Sequence, residues 1–182
     1  MHPEKPLVLI VTGPPCSGKT PLGMALAERL RLPFINKDGF KERLFDSLGW
    51  SDREWSKKVG EASYRMMFYV LESQLAAGQG CIVESNFRPD DAAEFKRLFA
   101  RYPCQVLQVL CTASPDVLLE RFQQRLSTRH PGHVDHLYQA EFAEVVKRKP
   151  APLDVGGELA VVDTSLPDST DLEELIRKIG QE

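Results

Sequence analysis

The sequence predicts an α/β fold: an α/β sandwich around a sheet of five parallel strands. Short β-prone apolar runs alternate with helical stretches, the pattern of βαβ units. The clearest of these runs, Leu7 to Val11, is continuously apolar, as a strand buried on both faces must be. A glycine-rich turn joins that run to the first helix. The 182 residues fit one domain, expected to span 1–182, and 42% hydrophobic with 27% charged residues is ordinary globular composition.

The elements follow in order. Gly13, Pro14 and Pro15 stop the first strand. A helix then reads from Gly18 to about Leu30, with Leu22, Ala25, Leu26 and Leu30 at helical spacing. Pro21 falls in its first turn, where a missing N–H costs little. Pro33 to Asn36 is the second strand. Lys37 to Leu48 is a helix closed by Gly49. Ser51 or Asp52 caps a long helix. Its stripe of Trp55, Val59, Ala62, Met66, Val70, Ser73 and Ala77 is expected to face the core, and Gly78 and Gly80 end it. Cys81 to Val83 is the third strand, with Glu84, Ser85 and Asn86 at its carboxyl end. Asp90 to Arg101 is a helix and Cys104 to Cys111 the fourth strand. Ser114 caps a helix that has Pro115 at its first position and runs through Leu126. Pro and Gly interrupt the segment from Ser127 to Val134. A helix from Asp135 to Lys147, a loop from Lys149 to Gly157, a fifth strand from Leu159 to Val162 and a last helix from Ser169 to Ile179 complete the chain.

Composition excludes several functions. A net charge of -3 and a pI of about 5.9 do not suit a general nucleic-acid binder, which needs a basic face. Cys16, Cys81, Cys104 and Cys111 form no CxxC pair, so zinc and thioredoxin-type chemistry fail on spacing. The last three lie in apolar runs and read as buried, reduced thiols. No apolar run approaches the roughly 18 residues of a membrane span. Met1 to Pro6 lacks the basic and apolar regions of a signal peptide, so a cytoplasmic protein is expected.

Gly13-Pro14-Pro15-Cys16-Ser17-Gly18-Lys19-Thr20 matches G-x-x-x-x-G-K-[ST] in full, after a strand and at the start of a helix. The chemistry needs these residue types. Glycines let the backbone turn its N–H groups inward around phosphates, and the helix adds its N-terminal dipole. Lys19 places a compact charge on the β- and γ-phosphates, and the Thr20 hydroxyl ligates Mg²⁺. The expected ligand is Mg·ATP. Asn36-Lys37-Asp38-Gly39 has the look of a guanine-reading N-K-x-D, but the acid comes one position early and follows the wrong strand.

Ligands of open α/β sheets bind at the carboxyl ends of strands, and Asp38 sits just past such an end. From spacing alone it is either a base that deprotonates an acceptor hydroxyl or the N-cap of the next helix. The phosphate loop followed by Asn36-Lys37-Asp38-Gly39-Phe40 resembles the P-loop kinases that phosphorylate small molecules or nucleic-acid ends. These include polynucleotide 5′-kinases, chloramphenicol phosphotransferase, zeta-toxin-like kinases and gluconate kinases. Most of the chain follows their element order, although only the phosphate loop is a highly specific motif. The resemblance implies a P-loop NTPase three-layer α/β/α sandwich with the adenylate-kinase-like strand order 2-3-1-4-5. It also implies that Asp38 is the base. Such kinases often carry Asp at the end of the third strand; here the chain reads Val83-Glu84-Ser85-Asn86. Either Glu84 holds a Mg²⁺-bound water, or Glu84 and Asn86 contact substrate, or both are ordinary loop polarity.

Arg121, Arg125 and Arg129 are spaced by four and share a face if the helix continues. Like charges at that spacing cost a helix roughly a few tenths of a kcal/mol, so an anionic partner accounts for them; a solvated face is the alternative. The resemblance implies a lid at about 121–136 whose Arg121 and Arg125 stabilise the moving phosphoryl group, with Arg129 closing over the nucleotide. His130, His133 and His136 invite a zinc reading, but Pro131 and Gly132 break any helix that would align them, and a flexible turn is expected.

The expected function is therefore transfer of the γ-phosphate of Mg·ATP to a hydroxyl of a small molecule or a nucleic-acid end. A nucleotide-sugar acceptor, as for toxin-like kinases, is one version. An ATP-binding regulatory switch or slow ATPase without acceptor is the reading from a different class. The acceptor is expected over Phe40 to Met67, where Lys37, Lys41, Arg43, Lys57, Lys58 and Arg65 either admit an anion or are the ordinary charge of solvated helices. Asp163 and Thr164, just past the fifth strand, either line a base pocket or belong to the loop that precedes the last helix.

Overall fold

The apolar run at the head of the sequence becomes the central strand, β1 (Leu7–Thr12). The computed structural model describes residues 5–166 and 172–179. Around β1 lie β2 (Phe34–Asn36), β3 (Cys81–Glu84), β4 (Gln105–Thr112) and β5 (Glu158–Asp163), all parallel, in the order β2-β3-β1-β4-β5. This is the adenylate-kinase-like order.

Seven helices are described: α1 (Lys19–Leu30), α2 (Lys37–Leu48), α3 (Arg53–Ala76), α4 (Ala92–Arg101), α5 (Pro115–Arg125), α6 (Gln139–Val145) and α7 (Leu172–Ile179). Successive side chains of β1 point to opposite faces, so it feeds two cores. Val8 and Ile10 pack with Met67, Leu71 and Leu75 of α3 and Phe95 and Leu98 of α4. Leu9 and Val11 pack with Leu22 and Leu26 of α1 and Leu175 of α7. The result is a three-layer α/β/α sandwich. The buried Gln108 of β4 is satisfied by the 150–156 loop, bonding both Leu153 O (3.0 Å) and Leu153 N (2.8 Å).

The caps are local and legible. Asn36 caps α2, Asp52 caps α3 through Trp55 N (2.8 Å), and Ser114 caps α5. Other expectations need correction. The buried stripe of α3 is Ser56, Val59, Ser63, Met67, Leu71 and Leu75, rotated from the expected one, so Ala62 and Met66 face outward. Two serines take core positions because their hydroxyls are satisfied within the helix layer: Ser63 bonds Val59 O and Ser56 bonds Lys41. A hydropathy stripe passes over such residues. Cys104 precedes β4 and is half-buried. The expected helix from Asp135 to Lys147 is a 3₁₀ turn at Asp135–Leu137 followed by the shorter α6. For the last helix, residues 169–171 lie outside the described residues. Among the described residues, no helix is long and apolar enough to cross a membrane.

The rotated stripe separates two neighbouring methionines. Met67→Ala is expected to cost about 2–5 kcal/mol in urea unfolding, as a buried large-to-small change, and Met66→Ala less than about 0.5 kcal/mol. Equal losses would restore the expected stripe.

Candidate active site

The strand order brings the carboxyl ends of β2, β3 and β1 side by side, with Glu84 in register with both Val11 and Asn36. The order reverses about β1, and such switch points leave a crevice at the strand ends. Residues 13–20 fill it as a compact loop. Gly13 has φ 140°, and a Cβ there would lie 2.2 Å from Cys111 O, so no other residue fits without moving the sheet. Cys16 is in the left-handed region at φ 68°, a position that favours glycine. Lys19 opens α1, is 6% exposed, and donates to Pro14 O (2.7 Å).

Glu84 knits the strand ends together. Its Oε2 accepts from Thr20 Oγ1 (2.9 Å) and from Asn36 Nδ2. Burial raises the Glu84 carboxyl, opposed by the Lys19 charge and these hydrogen bonds. Burial lowers the Lys19 ammonium, opposed by Glu84.

Asn36 Oδ1 accepts from Gly39 N (2.5 Å) and so takes the N-cap of α2. Asp38 is thereby left in the first turn with its carboxylate turned to cations. Lys37 Nζ lies 3.1 Å from Oδ1 and Arg129 Nη2 donates to Oδ2 at 2.5 Å. Burial alone would raise this carboxyl, but Lys37 and Arg129 outweigh it and hold it well below the usual carboxylate range.

The arginines come to the same cleft by different routes. Arg121 bonds Cys16 O (3.4 Å), Thr164 Oγ1 (3.1 Å) and Thr164 O (2.5 Å), joining the phosphate loop to the segment after β5. α5 ends at Arg125, but Arg129 N still donates to Arg125 O (3.0 Å), which keeps Arg129 beside it. Asp135 braces both, with Oδ2 3.2 Å from Arg125 Nη2 and 3.2 Å from Arg129 Nε. Burial opposes the Arg129 charge, but the Asp38, Asp135 and Glu42 carboxylates raise its pKa overall.

The turn at Pro131–His133 is docked rather than loose. Phe45 of α2 stacks on His130 and meets His133 edge-on. A Cβ on Gly132 would lie 2.5 Å from the Phe45 ring. His130 Nε2 donates to Asp46 (3.2 Å). His133 accepts from Arg129 Nη2 at Nδ1 (3.1 Å) and donates from Nε2 to Glu42 (2.9 Å). Burial, and then Arg129, push the His133 pKa down to about 2, so the ring is neutral. His136 is exposed, and no cluster among the described residues could hold a metal through three His, Cys, Asp or Glu ligands.

Cys16, Gly18, Lys19, Thr20, Asp38, Glu84, Arg121, Arg125 and Arg129 thus line one cleft of about 440 Å³. Sequence reasoning missed Asp135 as the brace, Glu42 behind His133, and Gln124 and Thr128 on the cleft wall. Thr164 reaches the loop, donating toward Ser17 O (3.1 Å), whereas Asp163 accepts from Ser165 N (2.8 Å). A second cleft, of about 1080 Å³, lies between α2, α3 and the start of α4. Lys37, Lys41, Lys57 and Arg65 line it as expected, joined by the unexpected Arg88; Arg43 instead bonds Gly39 O (3.0 Å).

The cleft fits a metal-bound nucleotide. Ser17 Oγ and Arg125 Nε are buried without a hydrogen-bond partner among the described residues. Such orphans call for a polar ligand. The Thr20 hydroxyl beside the Glu84 carboxylate is a hard-oxygen donor pair of the kind magnesium takes. The Cys16 thiol is raised by burial against Arg125 and Lys19, which argues against a reactive cysteine; burial also pushes Cys81 and Cys111 up to about 12.

A family model for an AAA domain (AAA_33) matches residues 8–148, and the chain belongs to that family. A Chloroflexus aurantiacus protein assigned as a kinase is 43% identical, with a TM-score of 0.93 over 98% of both chains. A Sinorhizobium meliloti gluconokinase is 20% identical, with a TM-score of 0.50 over 96% of this chain and 90% of its own. The Mycobacterium tuberculosis APS kinase, solved with AMPPNP and APS, is 16% identical, with a TM-score of 0.61 over 97% and 99%. The last two share the fold. No curated protein matches the chain.

Neutral His133 makes stability depend on pH. Its native pKa is about 2 against 6.5 unfolded, so the unfolded chain takes up the proton first and stability is lost as pH falls below about 6.5. Between pH 7.5 and 5.5, urea unfolding of the wild type is expected to lose roughly 1–1.5 kcal/mol more than that of His133→Gln, whose amide spans the same two partners without titrating. Equal losses would show that His133 is not held neutral.

Proposed function

We propose that the chain is a phosphotransferase that moves the γ-phosphate of Mg·ATP to the hydroxyl of a small molecule. The observation that carries this reading is the place of Asp38. It lies in the nucleotide cleft, while its ion-pair partner Lys37 lines the second cleft. A carboxylate at the boundary of two clefts suits a group that must meet an acceptor on one side and a phosphoryl group on the other. The 43% identical relative assigned as a kinase supports the reading.

The geometry supports the following roles. Gly13, Pro14, Pro15, Cys16, Ser17 and Gly18 wrap the phosphates with backbone N–H groups. Lys19 swings from Pro14 O to the β- and γ-phosphates. Thr20 and Glu84 hold the magnesium, which supplies charge neutralisation at the phosphates. Arg121, against Thr164 and the loop, and Arg125, with its free Nε, face the nucleotide and the phosphoryl group in transfer. Arg129 leaves Asp38 for the phosphates. Asp38 then accepts the acceptor's hydroxyl proton as the new O–P bond forms and the bond to the β-phosphate oxygen breaks. In this reading the chain is one domain, residues 121–136 close as its lid, and the protein works in the cytoplasm. The second cleft beside Asp38 gives an acceptor a place that a switch or slow ATPase has no need of.

The test is transfer of label from γ-labelled ATP to a panel of sugar acids, nucleosides, nucleotide sugars, antibiotics and 5′-hydroxyl oligonucleotides. Asp38→Ala is expected to lower kcat about 10²–10⁴-fold with nucleotide affinity within about threefold of wild type. Unchanged transfer by Asp38→Ala would remove the base assignment.

A further inference from the structure

The second cleft contains an ammonium group that phosphoryl transfer leaves unused. Lys41 stands one turn beyond Lys37 on α2 and is 9% exposed. Its Nζ donates to Ser56 Oγ of α3 at 2.9 Å and lies 5.4 Å from the Phe45 ring centroid. Among the described residues it makes no ion pair. A buried charge held by one hydroxyl is costly. Burial, then the Lys37 charge, lower its pKa to about 8, while Asp38 and Asp135 oppose the shift.

The surroundings keep this group open to the cleft. Gly60 sits inside α3 beside it, where a Cβ would lie 3.6 Å from Nζ. Glycine in a helix interior costs about 1 kcal/mol relative to alanine, and here it sets no side chain against the ammonium. Three of the four acids of the cleft wall are paired with arginines, and the fourth, Asp91, accepts from Arg88 N (2.6 Å). Glu61 pairs with Arg65 (2.8 Å), Glu94 with Arg97 (2.7 Å) and Glu72 with Arg101 (3.1 Å). Lys57 and Arg88 add positive charge to the same wall. The volume, about 1080 Å³, lies just above the roughly 300–1,000 Å³ typical of small-molecule sites.

We propose that Lys41 seats an oxyanion of the phosphoryl acceptor, a carboxylate or a phosphate, so that the acceptor is a hydroxylated anion whose hydroxyl faces Asp38. Naming this ligand the acceptor rests on the phosphotransferase reading; the anion seat itself does not. Lys41 is a specificity-determining group and the phosphate loop a separate site.

Calorimetry separates the two. The full chain is saturated with Mg·AMPPNP, so that no probe enters the phosphate loop, and titrated with glycerol 3-phosphate, glycerate and glycerol. These share a hydroxylated carbon chain and differ in the phosphate, the carboxylate or the lack of charge. The wild type is expected to bind at least one anion ten or more times tighter than glycerol, and the tighter arm names the anion. Lys41→Met should lose that preference and keep wild-type AMPPNP affinity. In the wild type, the bound anion should also shield Lys41 from acetylation by acetic anhydride, a readout that needs no substitution. Glycerol binding as tightly as both anions, a preference that survives Lys41→Met, or Lys41 acetylation unaffected by the anions would overturn the proposal. Absence of AMPPNP binding or of label transfer, with the Lys41 preference intact, would instead remove the phosphotransferase reading.

Discussion

The Asp38–Arg129 ion pair is the contact on which the site's arrangement turns. It joins the start of α2 to the segment after α5, elements far apart in sequence. Both groups lose solvation, and the pair offsets that loss only because each has further partners. Lys37 stands on the other side of Asp38, and Asp135 and His133 hold Arg129. His133 is in turn fixed by Glu42, and Phe45 seats the turn that carries it. The contacts form one chain from α2 through the arginines and back to α2. The two side chains of the pair remain 20% and 33% exposed, so exchanging one partner costs far less than it would in a sealed core. That suits the proposed exchange, in which the pair opens as phosphate enters.

The sheet fixes what this chain of contacts can reach. Only the order β2-β3-β1 places Asn36 and Glu84 next to the phosphate loop. Glu84 stays buried because it accepts two hydrogen bonds there and lies near Lys19. Asn36 serves twice, donating to Glu84 and capping α2, and this frees Asp38 from the capping duty that its position would otherwise suggest. A strand end, a helix cap and the placing of the Glu84 carboxylate thus depend on one side chain.

What could be read from the sequence was set by short-range physics. The phosphate loop is a backbone requirement written in eight consecutive residues. Spacing placed Asp38 past a strand end but left base and N-cap both open, and it put Arg121, Arg125 and Arg129 on one helical face without assigning their roles. The arginine brace at Asp135, the Glu42–His133–Arg129 contacts and the Thr164 bridge were not visible, because each joins residues that chain order does not pair. The three histidines suggested metal or a loose turn; Phe45, distant in sequence, decides otherwise by offering His130 and His133 a ring to pack on. The face of α3 was misplaced because Ser56 and Ser63 are polar in composition but satisfied in place. Lys41 looked like any surface lysine until Gly60 and Ser56 were seen beside it.

The central claim is that Arg129 exchanges Asp38 for phosphate, releasing the carboxylate toward the acceptor. NMR of the arginine side-chain Nε and the Asp38 carboxyl carbon, before and after saturation with Mg·AMPPNP, tests it most directly. The account predicts that the Arg129 signal moves on nucleotide binding and that the Asp38 pKa rises toward the usual carboxylate range as its cation departs. Saturation with nucleotide while both signals stay unchanged would contradict it.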